Sequence, residues 1–383
     1  MQKPSVFLVG GDKAGWALDT DLRLAKLALA PIVNLVSSVE QADFIHTVCP
    51  EAMVEDPGLN DLARRKPVVA AYSNDPIALF ERVRGLNRAA RNWFNIAQSS
   101  DAYEKLKSFG LPYVKQVNYI ADLESFKKLE ESQIEEVQTE LQIPKEKYVI
   151  GSFQRDSNGS NLSEFKPQKG ADIFLSILVG LQERMGKQSF KDKIHVLLAG
   201  PRRHWLRYNL KKNDIPFTFD GHLTTEDDFP RNILTAKRIN ALTNRIQLYV
   251  VSSRWEGAPR ALLECAAAQC AMISTRVGIA PDLLDPSCIF ESKEAAVELI
   301  LRDIESGFLK SFAQEHFQKV SREYSISAVS LRWKEIYEEL SKIPQADLSK
   351  MRTSVGYAKL FPKRIKYSLQ KVIHKVIHKL WTN

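Results

Sequence analysis

The chain has 383 residues, 44% of them hydrophobic, 26% charged and 9% aromatic, which excludes disordered and fibrous classes and suggests two domains of middling size. Its formal net charge of +8 is not spread evenly: the segment 348–383 holds nine basic residues and no acid, so the rest of the chain is close to neutral. A nucleic-acid-binding body is therefore not expected.

The chain opens MQKPSVFLVGG and enters an apolar strand-like run directly, so a secretory leader is not expected. No apolar run approaches the roughly 18 residues of a spanning helix. Cys49, Cys265, Cys270 and Cys288 have neither metal nor redox spacing, and buried reduced thiols of a cytoplasmic protein are the expectation.

Short apolar runs then alternate with helical stretches: SVFLVG, a helix over about Trp16 to Ala30, PIVNLVSS, DFIHTV, PVVAAYS and WFNIAQS. Ser99 or Ser100 can cap a helix ending near Gly110, before a further strand. This alternation predicts a parallel sheet covered on both faces. After a charged connector the pattern restarts with KYVIGSFQ, KIHVLLAG, IPFTFDG, RIQLYVVSS, CAMIST and SCIF. The expected organisation is a Rossmann-like domain over 1–122, a helical connector over 123–147, a second Rossmann-like domain over 148–325, a returning helix over 326–347 and a tail over 348–383. In such sheets ligands lie beyond the carboxyl ends of the strands, which selects the segments GGDKAGW, QRDSNGS, PRRHW and RWEGAPR.

In VSSRWEGAPRALLECAAAQCAM, Pro259 suits a helix start, which places Glu256 in the preceding loop and Glu264 in the second turn. Even on one continuous helix, eight steps of about 100° would leave the two carboxylates roughly 80° apart, so they are not stacked partners. Neither Gly257 nor Ala258 offers a side-chain cap, leaving N–H groups for a ligand's oxygens. A capless surface helix with two solvated glutamates is the plain alternative.

The stretch SSRWEGAPRALLECAA resembles the E-x7-E signature of family 4 glycosyltransferases of the GT-B fold. VNYIAD with Phe126 resembles the family's interdomain segment, although Tyr119, Ile120 and Ala121 depart from it, and IGSFQRDSNGSNLSEFKPQKGADIFLSIL resembles its strand, Arg, Lys-Gly and helix element. The resemblance runs from about Phe94 to Leu340. It implies an α/β GT-B architecture of two doubly wound domains facing across a cleft, and transfer of a sugar from a UDP- or GDP-type nucleotide donor, with retention, to a glycan or lipid-linked glycan.

On the same resemblance Glu264 accepts the ribose hydroxyls. Glu256 faces the donor sugar beside Gly257, Ala258 and Pro259, and Arg155 and Lys169 hold the diphosphate. The catalytic set it implies is Arg155, Lys169 and Glu256. The segment between Arg155 and Lys169 is longer than the family's usual gap, which makes Lys166 a rival to Lys169. Metal and cofactor are not expected, since fixed cations can stabilise the leaving diphosphate and the nucleotide sugar is itself a substrate.

Gly11 after the first strand joins the donor-binding set, with a plain turn as its alternative. His46, Trp16 and Arg202 are cleft candidates. Asp19-Thr20-Asp21 imitates a metal motif but lies in a helical pattern, and His195 reads as a core residue. In the tail, Ile365, Leu369, Val372, Ile373, Val376, Ile377, Leu380 and Trp381 recur at helical spacing with lysines opposite, a basic amphipathic helix suited to an anionic membrane surface or to packing on the protein. A peripheral location at the inner face of the membrane follows from the first of these. A sugar-nucleotide epimerase or hydrolase, and a non-catalytic nucleotide-sugar-binding protein, remain alternative readings of the same scaffold.

Overall fold

The computed structural model describes residues 3–11, 17–158, 161–229, 231–344 and 347–348. Trp16 and all of the basic tail beyond Leu348 lie outside these residues.

The first sheet is six-stranded and wholly parallel: β1 (Ser5–Val9), β2 (Asn34–Leu35), β3 (Phe44–Thr47), β4 (Val68–Tyr72), β5 (Phe94–Ala97) and β6 (Val114–Gln116), in the order β2-β1-β3-β4-β5-β6. The second sheet contains β7 (Tyr148–Ser152), β10 (Ile194–Ala199), β11 (Phe217–Asp220), β12 (Leu248–Val251) and β13 (Ala271–Ser274), ordered β11-β10-β7-β12-β13 and again parallel. Between β7 and β10 an antiparallel hairpin, β8 (Ser157–Asn158) with β9 (Asn161–Phe165), stands outside both sheets.

The central strands are apolar without alternation because helices cover both faces. VVAAY in β4 and IHVLLA in β10 are buried at every position. His195 within β10 is a core residue: its Nε2 lies 2.9 Å from Thr218 Oγ1, and burial lowers its pKa to about 4. Two expected strands change. PIVNLVSS reduces to the two residues of β2, and SCIF forms a short 3-10 turn followed by a single bridge from Ile289 to Ser274. The connector is a helix, Glu131–Glu140, opened by a capping box between Glu130 and Gln133.

The helix Ile326–Leu340 crosses back and joins the core of the first domain, where Val329, Trp333, Ile336, Tyr337 and Leu340 pack with Val6, Leu24, Ala28 and Phe94. Among the described residues, no helix is long and apolar enough to cross a membrane.

Candidate donor-binding site

Three segments meet at the carboxyl ends of β7, β10 and β12, the position expected for a ligand in a doubly wound sheet. The first is the turn into the helix Ala171–Met185. Gly170 starts this helix at φ +59°, and a Cβ there would sit 1.8 Å from the carbonyl oxygen of Ser252. Only glycine allows that approach, and it brings Lys169 against the loop after β12. Arg254 clamps the same junction. Its Nη1 donates to Asp172 Oδ1 at 2.7 Å and to the Pro167 carbonyl at 3.0 Å, while its backbone N–H donates to the Gln168 carbonyl at 2.9 Å.

Within this frame Lys169 Nζ lies 2.5 Å from Glu256 Oε1, and the Ser253 hydroxyl is 2.8 Å from the same oxygen. Glu256 is buried and Lys169 half-buried. Arg155, at the end of β7, belongs to the same charge cluster. Burial first, then Arg202, lower its basicity, and Glu256 opposes them. Lys166 feels these charges as well: burial, Arg155, Lys169 and Arg202 bring its pKa down to about 7 against the pull of Glu256.

The loop after β12, which carries Ser253 and Glu256, is the second segment, and the helix Arg260–Ala267 is the third. Pro259 is its cap residue in an extended conformation, so the helix starts one residue later than the sequence suggests, and no side chain caps it. Leu262, Leu263, Cys265 and Ala266 turn into the core. Arg260 and Glu264, four residues apart, share the opposite face. Burial raises the Glu264 pKa to about 7; Arg260 pulls it down, and Asp122 and Asp21 push it further up.

Glu264 therefore belongs to a charged cluster between the domains. Arg260 donates to Asp21 Oδ1 of the first domain and, at 2.9 Å, to the Tyr119 hydroxyl, which in turn donates to Asp21. Asp122 is paired with Arg23. Burial opposes the Arg260 charge, yet Tyr119, Asp21 and Glu264 hold its pKa above the ordinary value.

Tyr119, one of the departures from the interdomain pattern, is thus one of the first-domain groups that hold Arg260 of the second. Arg260 escaped the sequence reading, although its spacing to Glu264 was a usable signal. Asp21 was visible only as part of an apparent metal motif.

Gly257 marks a second interdomain approach. A Cβ there would lie 2.3 to 2.5 Å from backbone atoms of Ser73 and Asn74, in the loop after β4. Gly257 and Ala258 are buried by this contact. Gly11 is exposed at the end of the first strand, and a Cβ on it would meet Asp19 Oδ1 at 2.8 Å.

The remaining cleft candidates divide. Arg202 is held by its own acids, with Nε and Nη2 2.9 and 2.7 Å from Asp227 and its backbone N–H 2.6 Å from Asp228 Oδ1, and its charge reaches the site as field on Arg155 and Lys166. His46 is buried inside the first domain, with Nδ1 2.9 Å from the Tyr337 hydroxyl and its ring edge-on to Trp333 at 4.6 Å. Burial lowers its pKa to about 3, so it stays neutral and faces only a small cavity shared with Asp21, Gln98 and Tyr119. Arg203, beside Arg202, is fully buried against Asp156 and the Ser152 carbonyl.

Two parallel-sheet Rossmann-like domains, with a charged site at the strand ends of the second and a helix returning to the first, define the GT-B architecture. Residues 160–303 match the family model described as "Glycosyl transferases group 1". Among solved structures, the HepE protein of Anabaena in complex with UDP-glucose superposes with a TM-score of 0.66 at 16% identity, over 88% of this chain and 99% of that one. Sucrose-phosphate synthase of Thermosynechococcus elongatus gives 0.65 at 11% identity, over 89% and 99%. A UDP-forming α,α-trehalose-phosphate synthase of Burkholderia xenovorans gives 0.59 at 12%, over 83% and 78%. No curated protein sequence matches the chain significantly. Residues 160–303 thus match a glycosyltransferase family model, and the whole chain has the GT-B fold.

Proposed function

We propose that the protein is a retaining glycosyltransferase that moves a hexosyl group from a UDP- or GDP-sugar to a glycan or lipid-linked glycan, without a metal. The observation that carries this reading is the cation cluster of Arg155 and Lys169, gathered with Glu256 at the ends of β7 and β12. Departure of a nucleoside diphosphate concentrates negative charge on its phosphate oxygens. Cations already fixed in a partly buried site stabilise that charge more in the transition state than in the ground state.

In this reading Glu256 orients Lys169 before the donor binds and then faces the sugar. Glu264, when ionised, accepts the two ribose hydroxyls in charge-assisted bonds stronger than neutral ones. The turn Gly257, Ala258 and Pro259 offers backbone N–H groups where no side chain caps the following helix. Gly11 approaches the donor from the first domain.

UDP-glucose in the HepE structure makes a UDP-sugar the first donor to test. A thermal-shift screen of UDP- and GDP-sugars should raise the unfolding midpoint for at least one of them, because a ligand that binds only the native state stabilises it by mass action. A flat response across both series, with free nucleoside diphosphates also inert, contradicts the reading.

A further inference from the structure

Lys166 has no role in the site as described, yet the fold places it with care. It follows the β8–β9 hairpin, whose base is tied to the sheet: the Asp156 and Ser157 N–H groups donate to the Arg202 carbonyl at 3.0 and 3.2 Å, and Phe165 packs on Trp205 at 5.3 Å. Asp156 is buried and receives the Trp205 N–H at 3.1 Å, fixing the helix His204–Lys212 to the same point. The Lys166 N–H donates to the Asp156 carbonyl at 2.7 Å, and its own carbonyl accepts from the Lys169 N–H at 3.0 Å. The Lys166 backbone is therefore fixed three residues before Lys169.

Its ammonium is half-buried, and the charged groups acting on it are Arg155, Lys169 and Arg202 against the single carboxylate of Glu256. Glu256 is engaged with Lys169, and Arg202 with Asp227. Among the described residues no carboxylate forms an ion pair with Lys166. A half-buried cation surrounded by cations is unfavourable until an anion arrives. Resting on the reading of this pocket as a nucleotide-sugar site, we propose that Lys166, fixed beside Lys169 and without a carboxylate partner among the described residues, is a third ligand of the donor diphosphate.

The physical logic is a reversal of field. In the free protein burial, then Arg155 and Lys169, pull the Lys166 pKa down to about 7. The two negative charges of a diphosphate then favour the ammonium, so binding and protonation are linked. The contribution of Lys166 to donor affinity should be full below a pH of about 7 and fall above it, by up to about tenfold per pH unit while the bound form keeps its proton, on top of the acid limb set by Glu264.

The test is isothermal titration calorimetry of UDP-glucose and GDP-mannose into the full-length protein, in buffers of different protonation enthalpy, from about pH 6 to 8.5. Wild type, Lys166→Arg and Lys166→Met are compared. The diphosphate of a sugar nucleotide carries no group that titrates near neutrality, so buffer-dependent heat reports protein groups. Glu264 ionises in the same range but releases a proton when it binds ribose, and it remains in every variant. The diagnostic quantity is therefore the difference between variants.

Wild type should take up a larger fraction of a proton than Lys166→Arg above neutrality. Lys166→Arg should bind with affinity independent of pH on the alkaline side. Lys166→Met should bind about tenfold more weakly near pH 6, where the lysine is charged. Equal affinity of wild type and Lys166→Met near pH 6 overturns the proposal, and equal proton uptake in wild type and Lys166→Arg overturns the linkage to pH. Wild type binding neither sugar nucleotide counts against the nucleotide-sugar reading itself, and the proposal falls with it.

Discussion

Glu264 and Glu256 are set apart by their neighbours more than by their chemistry. Glu256 is neutralised by Lys169 at 2.5 Å, whereas Glu264 shares a partly buried cluster with two other carboxylates and has its pKa raised to about 7. If the ribose hydroxyls bind the ionised form, donor affinity rises with pH on the acid side of about 7 and levels as Glu264 becomes fully charged. Glu264→Gln should bind donor roughly tenfold more weakly at neutral pH, the difference between a charge-assisted and a neutral hydrogen bond, and should lose that acid limb. Calorimetric affinities between about pH 5.5 and 7.5 check this, and an unchanged acid limb in Glu264→Gln refutes it. The two glutamates were legible in the sequence because local helix phasing and the E-x7-E spacing act within eight residues. Asp21 and Tyr119 were not legible as partners of Arg260, because that contact joins residues 239 and 141 positions away.

Among elements, the start of the helix Ala171–Met185 is the most constrained. Gly170 combines a left-handed backbone with the tight approach to Ser252. Gly170→Ala adds about 1 to 2 kcal/mol for the left-handed conformation and forces the helix away from the loop that carries Glu256. It should lower the urea midpoint and donor affinity together, and a variant with normal stability and affinity contradicts the packing described. The strands were legible because buried parallel strands write themselves as continuous apolar runs. Their lengths were less so: the edge strand β2 keeps only Asn34 and Leu35, since pairing on one side leaves tertiary packing to decide where it stops. The hairpin β8–β9 was legible only as an over-long gap between Arg155 and Lys169, because its polar residues carry no core-facing pattern.

For the whole molecule, the decisive contacts are those that join the domains: the Arg260, Asp21 and Tyr119 cluster, the seating of Gly257 on Ser73 and Asn74, and the bond from the Ser100 N–H to Asp282 Oδ2 at 2.7 Å. Removing the guanidinium leaves Asp21 and Glu264 without their shared cation, while Asp122 keeps Arg23. Arg260→Ala should therefore cost about 3 kcal/mol or more of stability in urea unfolding, as expected for breaking a buried ion pair from one side. It should also move the acid limb of donor binding to higher pH, because Arg260 is the group that lowers the Glu264 pKa. An unshifted limb would separate Glu264 from this cluster.

The two-domain plan could be read from the restart of the strand and helix alternation, but how closely the domains meet could not, because Gly257 looks like any turn glycine until Ser73 and Asn74 are placed against it. The central claim is that Lys169 and Glu264 hold a sugar nucleotide by its diphosphate and its ribose. Its most direct test is single-turnover cleavage of a bound UDP- or GDP-sugar in wild type, Lys169→Ala and Glu264→Ala. A fall of about a hundredfold or more in rate is expected for Lys169→Ala, which loses a preorganised cation, and chiefly weakened donor binding for Glu264→Ala. Wild-type rates and affinities in both variants would contradict it.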